Sequence, residues 1–343
     1  MTIYDLAKLA GVSPRTVTRA FRNDPLISAK TRERILRIAA EHDYRPNDVA
    51  RRIRGDLIRI LAVSVGAVEV FTSDILKGFE NAKNALRNYK TEVRILSFPD
   101  MQSFADSSAE LLANGVNGIA VAALDRLPPD LSAFLLERGI PVMTVLAGDE
   151  ASPYDGFPLG DVSVDTEMKG RMAGNLLALL KPGGRFGIFT GSLDTAHHRA
   201  SLRGFREETE KRGATSVAIW DTKDDPDRAA ELARLCIRDP DPCDGIFFAS
   251  ANSVAPIEVF RAEGYQPAIV ASDIFPKMSD WLRDGTVQAV VFQNPEKQSR
   301  IAVMNLYAWL AEGRLPEKRT KISPQLVLGS NLSVYEKDDL VSI

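Results

Sequence analysis

Residues 2–21 read TIYDLAKLAGVSPRTVTRAF, and their pattern predicts the fold of the amino-terminal part of the chain. It begins with three apolar residues at helical spacing, Leu6, Ala7 and Ala10. Gly11 is placed to end this helix, because glycine readily adopts the left-handed conformation that closes a helix. Ser13 is a good N-cap, and Pro14 suits the first position of a second helix. The stretch therefore predicts two short helices joined by a tight turn.

The second helix has two faces of different chemistry. Its apolar face carries Val17, Ala20 and Phe21. The opposite face carries donors at i, i+3, i+4 and i+7, namely Arg15, Thr18, Arg19 and Arg22. An arginine can donate two hydrogen bonds to guanine O6 and N7, or it can bind a phosphate. This pattern favours a helix-turn-helix that reads the major groove of DNA, with an ordinary three-helix interaction module as the alternative.

Two further helices are predicted behind this pair. Ser28 caps the third helix. The side chains that we expect to close a small core there are Ile35, Leu36 and Ile38. Pro46 stops this helix, and Asn47 caps a segment that ends at Gly55. Because a two-turn helix is marginal alone, the segment needs a symmetry mate or DNA in order to fold, and a plain basic linker is the alternative.

Charge is distributed unevenly along the chain. Residues 1–55 contain 12 of the 43 Lys and Arg residues and 6 of the 46 Asp and Glu residues, so their formal charge is +6. The other 288 residues carry -9, within a net charge of -3 for the whole chain. A small basic head on an acidic body favours a polyanion as the partner of the head, although basic helices are often only solvated surface.

Composition excludes several classes of protein. A length of 343 residues with 45% hydrophobic residues suggests about two globular domains rather than a disordered or collagenous chain. No stretch approaches the roughly 18 uncharged apolar residues of a membrane span. The first residues lack the basic start and apolar run of a signal peptide. Two cysteines are too few for a disulfide framework, so we expect a cytoplasmic protein without a membrane partner.

Three segments lie at fixed spacing within residues 2–55, namely TIYDLAKLAGVSPRTVTRAF, ISAKTRERI and YRPNDVARRIRG. Together they resemble the head and hinge of the lactose-repressor/galactose-repressor (LacI/GalR) family of bacterial transcription regulators. The resemblance implies that bases are read from Pro14, Arg15 and Arg19. Since Pro14 has no side-chain donor, base reading is expected to shift to the two arginines.

The resemblance extends to the other expected DNA contacts. Arg22 stands where the family often has Asn, and we expect it to contact phosphate. Ile53 stands at the position of the hinge leucine that wedges into the central base step. The full set of residues expected to contact DNA is Thr2, Ser13, Pro14, Arg15, Thr18, Arg19, Arg22, Asn47, Ala50, Arg51 and Ile53.

The body alternates apolar runs with helical patterns. The strand-like runs are 58–65, 93–98, 118–124, 141–147, 185–191, 216–221, 245–250, 268–272 and 287–292. Helical patterns between them include 74–88, 166–180, 200–212, 226–237 and 295–312. This order predicts an α/β body of two doubly wound, parallel-sheet lobes behind a small all-α head. Ligands in such sheets bind beyond the carboxyl ends of the strands.

The body also resembles the effector domain of the same family, which has a periplasmic-binding-protein-like fold. This resemblance rests on residues 164–177, 189–205, 272–273 and 291–295 and on the region of Asn252. The domains expected from it are a helix-turn-helix head at 1–45, a hinge at 46–57 and an effector domain at 58–343. Lobe 1 is expected to comprise 58–160 and 293–322, and lobe 2 is expected to comprise 161–292 and 323–343.

The resemblance implies a polar pocket at the strand ends. Asn252, Asp273 and Gln293 match family positions that bind sugar hydroxyls, and their paired donors and acceptors suit a polyol. The alternative for Asn252 and Asp273 is that each caps a helix, because both begin predicted helices.

Aromatic and basic residues complete the expected pocket. Phe71 falls near the family's aromatic position after the first strand, and Arg199 falls in the stretch that holds an effector-binding arginine. The second arginine of that stretch is Ser201 here. Because Asp225 or a neighbour stands where many members have a stacking aromatic, the stack on a sugar ring is either missing or supplied elsewhere, with Trp220 as the candidate.

Other features do not support catalysis. His197 and His198 are adjacent, so we expect their side chains to point apart, and no ligand set has zinc spacing. Cys236 and Cys243 form no CxxC motif, which argues against redox chemistry. The turn GGRFG at 183–187 precedes a strand and is not a dinucleotide fingerprint. The chain has no GxSxG or P-loop motif, so we expect neither an enzyme nor a bound cofactor or metal.

The two parts together predict a transcription regulator. We expect a homodimeric repressor that binds a near-palindromic double-stranded DNA operator and responds to a sugar or sugar derivative. The alternatives are a transport-type sugar receptor and a sugar-converting α/β enzyme. The sequence leaves the effector, the operator and the direction of the response open.

Overall fold

The computed structural model describes residues 3–13, 16–17, 20, 27–41, 57–66, 69–113, 115–123, 127–146, 158–250 and 252–336. In the head, helix α1 spans Ile3–Leu9 and helix α2 spans Ala29–Glu41. Gly11 has a φ of +60°, so a left-handed glycine follows the first helix as the sequence predicts. The hydroxyl of Ser13 accepts a hydrogen bond from the backbone N–H of Thr16 at 3.1 Å, which is the geometry of an N-cap.

A small core holds the head helices together. Its buried members are Leu6, Ala7, Ala10, Val17, Ala20, Ile35 and Ala39. Ser28 begins α2 with a cap, because its hydroxyl accepts from the N–H of Thr31 at 3.2 Å. The expectation that Leu36 joins this core is wrong, since its side chain is 39% exposed while Ile35 is fully buried. One residue along a helix turns the side chain by about 100°, away from the stripe that Ile35 shares with Ala39.

The body starts with alternating strands and helices that build the first sheet. These elements are β1 (Ile58–Val65), α3 (Glu69–Leu86), β2 (Thr91–Phe98), α4 (Met101–Ala113), β3 (Gly118–Ala122), α5 (Pro129–Glu137), β4 (Val142–Val145) and β5 (Pro158–Val164). The next group builds the second sheet with α6 (Thr166–Leu180), β6 (Arg185–Thr190), α7 (Ala196–Lys211), β7 (Ser216–Asp221), α8 (Pro226–Ile237), β8 (Gly245–Phe248), α9 (Val254–Ala262), β9 (Ala268–Ser272), α10 (Pro276–Asp284) and β10 (Ala289–Phe292). The remaining elements are α11 (Pro295–Glu312), β11 (Arg319–Ile322), β12 (Gln325–Val327) and α12 (Ser333–Glu336).

The first sheet has the strand order β11-β5-β4-β3-β1-β2. Strand β1 pairs with β3 in parallel, and β3, β4, β5 and β11 continue the parallel pairing. Every residue of β1 except Arg59 is buried. A continuous apolar run of this kind is typical of a parallel strand covered by helices on both faces.

The second sheet has the order β12-β10-β9-β8-β6-β7. Its strands are parallel except β12, which pairs with β10 in the antiparallel sense. Strand β7 lies at the edge, where Trp220 stacks on Phe189 of β6 with ring centroids 4.7 Å apart. We call the two sheets with their covering helices the first lobe and the second lobe.

Three strands were missed by the sequence analysis, namely β5, β11 and β12. Strand β5 contains the buried Asp161, whose carboxylate accepts hydrogen bonds from Thr144 at 2.6 Å and from Ser163 at 2.7 Å. An Asp in a sequence segment suggests an exposed loop rather than a buried strand. The hydrogen-bond partners that allow its burial are known only once the sheet is formed. Strand β5 continues the first sheet to Val164, four residues beyond the expected lobe boundary at about residue 160.

Helices α6 and α7 of the second lobe approach each other closely. A Cβ atom at Gly170 would overlap the carbonyl oxygen of Ser201, and a Cβ at Gly204 would overlap that of Glu167. Only glycine allows the two backbones to lie at this separation. The backbones of α6 and α7 are therefore in direct contact within the second lobe. Among the described helices, none is both long enough and apolar enough to span a bilayer.

Candidate ligand-binding site

Polar side chains converge at the carboxyl edge of the second sheet. Each of the five strands from β6 to β10 is followed by at least one of them, namely His197, His198, Asp224, Asn252, Asp273 and Gln293. The carboxyl edge is where open α/β sheets bind their ligands. The sequence predicted three of these residues as ligand contacts, and they are Asn252, Asp273 and Gln293.

Asp273 and Gln293 form the centre of the site. The carboxylate of Asp273 accepts a hydrogen bond from the backbone N–H of Gln293 at 3.1 Å and another from its side-chain amide at 2.6 Å. Asp273 is 2% exposed, and burial raises the pKa of its carboxyl, against the effects of Lys169 and Gln293. It also has a φ of +66°, a strained conformation of the kind found at functional sites.

Neither Asp273 nor Asn252 caps the helix that follows it. The N-cap of α10 is Phe275, and the N-cap of α9 is Ser253. The amide of Asn252 instead donates to the carbonyl oxygen of Asp224 at 3.0 Å, which ties two strand-end loops together. The helix-cap alternative is therefore excluded for both residues, and their role as ligand contacts stays a prediction.

Lys169 is a member of this site that the sequence analysis missed. Its side chain extends from the first turn of α6 and is fully buried. The ammonium donates to the carbonyl oxygen of Ala249 at 2.9 Å and to Oε1 of Gln293 at 3.4 Å. Burial lowers the pKa of Lys169 to about 8, although the nearby Asp273 acts in the opposite direction. Lys169 is therefore mainly protonated at pH 7.

A signal for Lys169 is present in the sequence. The buried residues of α6 recur at i, i+3, i+4, i+7, i+8 and i+11, namely Thr166, Lys169, Gly170, Ala173, Gly174 and Leu177. A lysine within such a stripe faces the protein interior. The hydrophobic pattern alone hides it, because a lysine on a helix is normally assigned to the surface.

The first lobe contributes a carboxyl group from α3. Asp74 lies close enough to Asp273 and Glu296 to interact with them electrostatically. Burial, followed by these two carboxylates, raises the pKa of Asp74 to about 6, while Lys77 acts in the opposite direction. Phe71 is half-buried and lies one turn before Asp74 on the same helix, so the two share a face. The position of Phe71 therefore suits its predicted role beside a ligand.

Two histidines extend the cluster toward Asn252. The rings of His197 and His198 lie with their centroids 3.9 Å apart, so the expectation that they point apart is wrong. The N-terminal turn of α7 brings the rings together. Burial, His198 and Lys169 hold the pKa of His197 well below its usual value. Nε2 of His198 lies 3.6 Å from the carboxylate of Asp224. At neutral pH, His197 is therefore a neutral donor and acceptor.

Two residues predicted for the pocket have other contacts. The guanidinium of Arg199 is exposed and donates to the carbonyl oxygens of Leu193 and Asp194 at 2.8 Å and 2.9 Å. It braces the turn before α7. Trp220 packs against the core of the second lobe, where one face of its ring is covered by Phe189. These contacts do not support the predicted roles of Arg199 and Trp220.

Several polar groups around this edge have unused hydrogen-bonding capacity. Within the described part of the chain, the buried hydroxyls without a partner include those of Thr190, Ser201, Ser253 and Ser272. Buried hydroxyls in proteins are normally paired, so a polar ligand or water is expected near them. Across the same described residues, no three potential metal ligands come together.

The DNA-contact residues of the head can be placed only in part. Ser13 is exposed, and its hydroxyl accepts from the backbone N–H of Thr16 as an N-cap does. The other ten lie outside the described residues, and they are Thr2, Pro14, Arg15, Thr18, Arg19, Arg22, Asn47, Ala50, Arg51 and Ile53.

Comparison with protein families assigns both parts of the chain. The periplasmic binding protein domain matches residues 61–314, and the bacterial regulatory proteins of the lacI family match residues 2–47. The chain belongs to the LacI family. This membership confirms the resemblance found in the sequence and the predicted architecture of a helix-turn-helix head before a two-lobed α/β domain.

Known relatives of this LacI-family chain include two named regulators. NtdR, the NTD biosynthesis operon regulator of Bacillus subtilis (strain 168), is 33% identical over 135 residues, or 39% of this chain and 40% of NtdR. The sucrose operon repressor of Pediococcus pentosaceus is 34% identical over 122 residues, or 35% of this chain and 37% of the repressor. These alignments span less than half of each relative.

The α/β domain of the LacI-family chain has close counterparts among solved structures. GanP, a glucose-galactose binding protein from Geobacillus stearothermophilus, superposes with a TM-score of 0.69 at 20% identity. The superposition covers 81% of this chain and 99% of GanP. At this identity the likeness shows the fold alone.

Proposed function

We propose that this chain is a DNA-binding transcription repressor whose affinity for its operator is controlled by a small polyhydroxylated metabolite. The observation that carries the proposal is the buried cluster of Lys169, Gln293 and Asp273 at the carboxyl edge of the second sheet, in a chain that begins with a lacI-type head. A buried polar cluster that is only partly satisfied is costly unless a ligand completes it.

The head supplies the DNA-binding part of the proposal. Residues 1–45 would form the helix-turn-helix domain and residues 46–57 the hinge. Arg15 and Arg19 would read base edges, whereas Arg22 would bind phosphate. Two heads of a homodimer would occupy the half-sites of a near-palindromic operator, with Ile53 of each hinge at the centre.

The effector domain would couple ligand binding to the affinity of the protein for DNA. Asp74 of the first lobe lies close enough to Asp273 of the second lobe for their charges to interact, so a ligand that contacts both residues would favour one arrangement of the lobes. That arrangement would decide whether the paired hinges can dock on DNA. Coupling of this kind is typically worth about 1–3 kcal/mol.

Two comparisons support a sugar-like effector. One relative is named for the sucrose operon and one structural neighbour for binding glucose and galactose. Hydroxyl groups of a sugar would match the mixed donors and acceptors of the site. We assign the protein to the bacterial cytoplasm, where operator DNA is found.

Selection from genomic DNA tests this proposal directly. The purified full-length chain is mixed with fragmented genomic DNA, bound fragments are sequenced, and the enriched site is measured in salt-dependent gel shifts with and without sugars. We expect a near-palindromic site whose binding weakens as salt rises and changes with at least one sugar. No preference for any fragment over bulk DNA would contradict the proposal.

A sugar receptor without DNA binding is the second candidate, and the fold of GanP favours it. This candidate predicts sugar binding with no enriched DNA fragment. An α/β enzyme would instead convert the bound sugar, which chromatography of the sugar after incubation would detect.

A further inference from the structure

Lys169 and Asp273 are both buried but are not in direct contact. The two side chains form no ion pair with each other, and the amide of Gln293 lies between them. Its Oε1 accepts from Lys169 at 3.4 Å, and its Nε2 donates to Asp273 at 2.6 Å. The amide therefore relays the interaction between a buried cation and a buried anion.

This arrangement leaves hydrogen-bonding capacity at both ends of the relay. An ammonium has three N–H donors, and within the described residues Lys169 uses two of them, toward Ala249 and Gln293. Each carboxylate oxygen of Asp273 accepts one bond from Gln293, although an oxygen has room for two. A hydroxyl both donates and accepts, so one hydroxylated ligand can complete both ends.

The charges around the relay limit the charge of the ligand. A lone buried lysine would favour a carboxylate or phosphate ligand. Here Asp273 balances Lys169, and two further carboxylates, Asp74 and Glu296, share the charge of Lys77 among the described residues. His197 interacts electrostatically with Lys169, and burial keeps it neutral at pH 7. An anionic ligand would add a negative charge to a site that already carries an excess of carboxylates.

We infer that Lys169 is a specificity-determining residue of the effector site, donating to a hydroxyl of an uncharged polyhydroxylated effector whose hydroxyls donate to Asp273. The same charge balance excludes sugar acids and sugar phosphates. This inference rests on the proposed function, because it names the chemical class of the effector and the residue that selects it.

Matched sets of probes test the excluded class. Full-length protein is screened by thermal shift and then by calorimetry against D-glucose, D-galactose, D-ribose and myo-inositol. The charged counterparts are D-gluconate, D-galacturonate, D-ribose 5-phosphate and inositol 1-phosphate. We expect at least one uncharged member to bind, about tenfold or more tighter than its charged counterpart. A charged member that binds more tightly, or no binding by any uncharged member at millimolar concentration, would overturn the inference.

Substitution of Lys169 tests the named residue. Lys169→Met keeps the length of the side chain without its donors, and we expect it to weaken binding of the uncharged probe by about tenfold or more. Lys211→Met is the matched control at an exposed position in the last turn of α7, and we expect less than about a twofold change. Lys169→Gln keeps a donor and should retain more affinity than Lys169→Met, so it serves if the methionine variant does not fold. Unchanged affinity in both Lys169 variants would overturn the assignment.

The same preparations separate this inference from the proposed function. If the wild-type protein selects genomic DNA and a sugar phosphate or sugar acid releases it, the regulator stands and the inference fails. If the protein binds an uncharged sugar through Lys169 but selects no DNA, the regulator fails and the ligand class stands.

Discussion

Gln293 holds the carboxylate of Asp273 with two hydrogen bonds, one from its backbone N–H and one from its side-chain amide. The residues are 20 positions apart and follow neighbouring parallel strands, β9 and β10. Since both are nearly fully buried, the carboxylate has exchanged water for these bonds. Strand pairing, rather than local sequence, therefore positions the polar centre of the second lobe.

Gln293→Leu should destabilise the protein by about 1–3 kcal/mol, because it leaves one oxygen of a buried carboxylate and one donor of Lys169 without their partner. Urea unfolding followed by circular dichroism measures the change. Gln325→Leu, at an exposed position of β12, is the control and should change stability by less than about 0.5 kcal/mol. Equal stability of the two variants would show that the amide of Gln293 does not support Asp273.

Asp74→Asn should stabilise the protein at neutral pH. The pKa of Asp74 is raised from 3.8 to about 6, so the folded state binds this proton more tightly than the unfolded state. The stability contributed by the protonated form is present at low pH and is lost as pH rises through about 6. The variant lacks this loss, and we expect it to be more stable than the wild type by roughly 1–3 kcal/mol at pH 7.5.

Urea unfolding at about pH 4.5 and pH 7.5 measures the free energy of unfolding of the wild type and of Asp74→Asn. Burial raises the pKa of Asp74 most, followed by Asp273 and Glu296, whereas Lys77 lowers it. Asp106→Asn, at an exposed position of α4, is the control and should show no comparable pH-dependent gain. A constant difference between wild type and Asp74→Asn at the two pH values would argue against the carboxylate cluster.

Gly170→Ala should separate α6 from α7, because its Cβ would overlap the carbonyl oxygen of Ser201. Overpacking of this kind costs about 1–3 kcal/mol or more. The shift should also displace Lys169, the preceding residue, and weaken sugar binding. Leu179→Ala removes a side chain from the exposed face of the same helix, where Leu179 is 61% exposed, and should have little effect on either measurement. Unchanged sugar affinity in a destabilised Gly170→Ala protein would show that the contact between α6 and α7 does not affect the ligand site.

Removal of residues 1–55 should abolish operator binding but leave sugar affinity within a few fold, because the proposed site lies entirely in the α/β body. Gel shifts with the enriched operator and calorimetry with the bound sugar report the two activities separately. A truncated protein that is folded by circular dichroism yet loses both activities would show that the head and the body are not separable.

Arg15→Ala and Arg22→Ala should differ in kind. The loss of a base-reading arginine should relax the preference at one operator position, worth about 1–3 kcal/mol. The loss of a phosphate contact should weaken all sequences alike and reduce the salt dependence. Binding to a set of single-base operator variants distinguishes the two. If both variants lose affinity uniformly, the base-reading role of Arg15 is wrong.

Features that depend on interactions between residues close together in the chain could be predicted from the sequence. Ser13 and Ser28 cap their helices because an N-cap bonds to a backbone N–H three residues away. The continuous apolar runs of strands such as β1 and β9 predict that these strands are buried, as the structure confirms. The family resemblance also rests on short motifs of this kind, which lie at fixed spacing in residues 2–55. Strand β5 was not predicted, because burial of Asp161 is favourable only when its carboxylate accepts hydrogen bonds from Thr144 and Ser163.

The composition of the site depends on contacts between residues that are far apart in the chain, so it required the folded structure. Lys169 meets Gln293, which is 124 positions away, because α6 packs on α7 and the parallel strands end at one edge. Trp220, by contrast, packs against the core of the second lobe, because the pairing of β7 with β6 places its ring over Phe189. The interaction between two charges depends on the distance between them in space. For residues far apart in the chain, the fold sets that distance, and the local sequence does not reveal it.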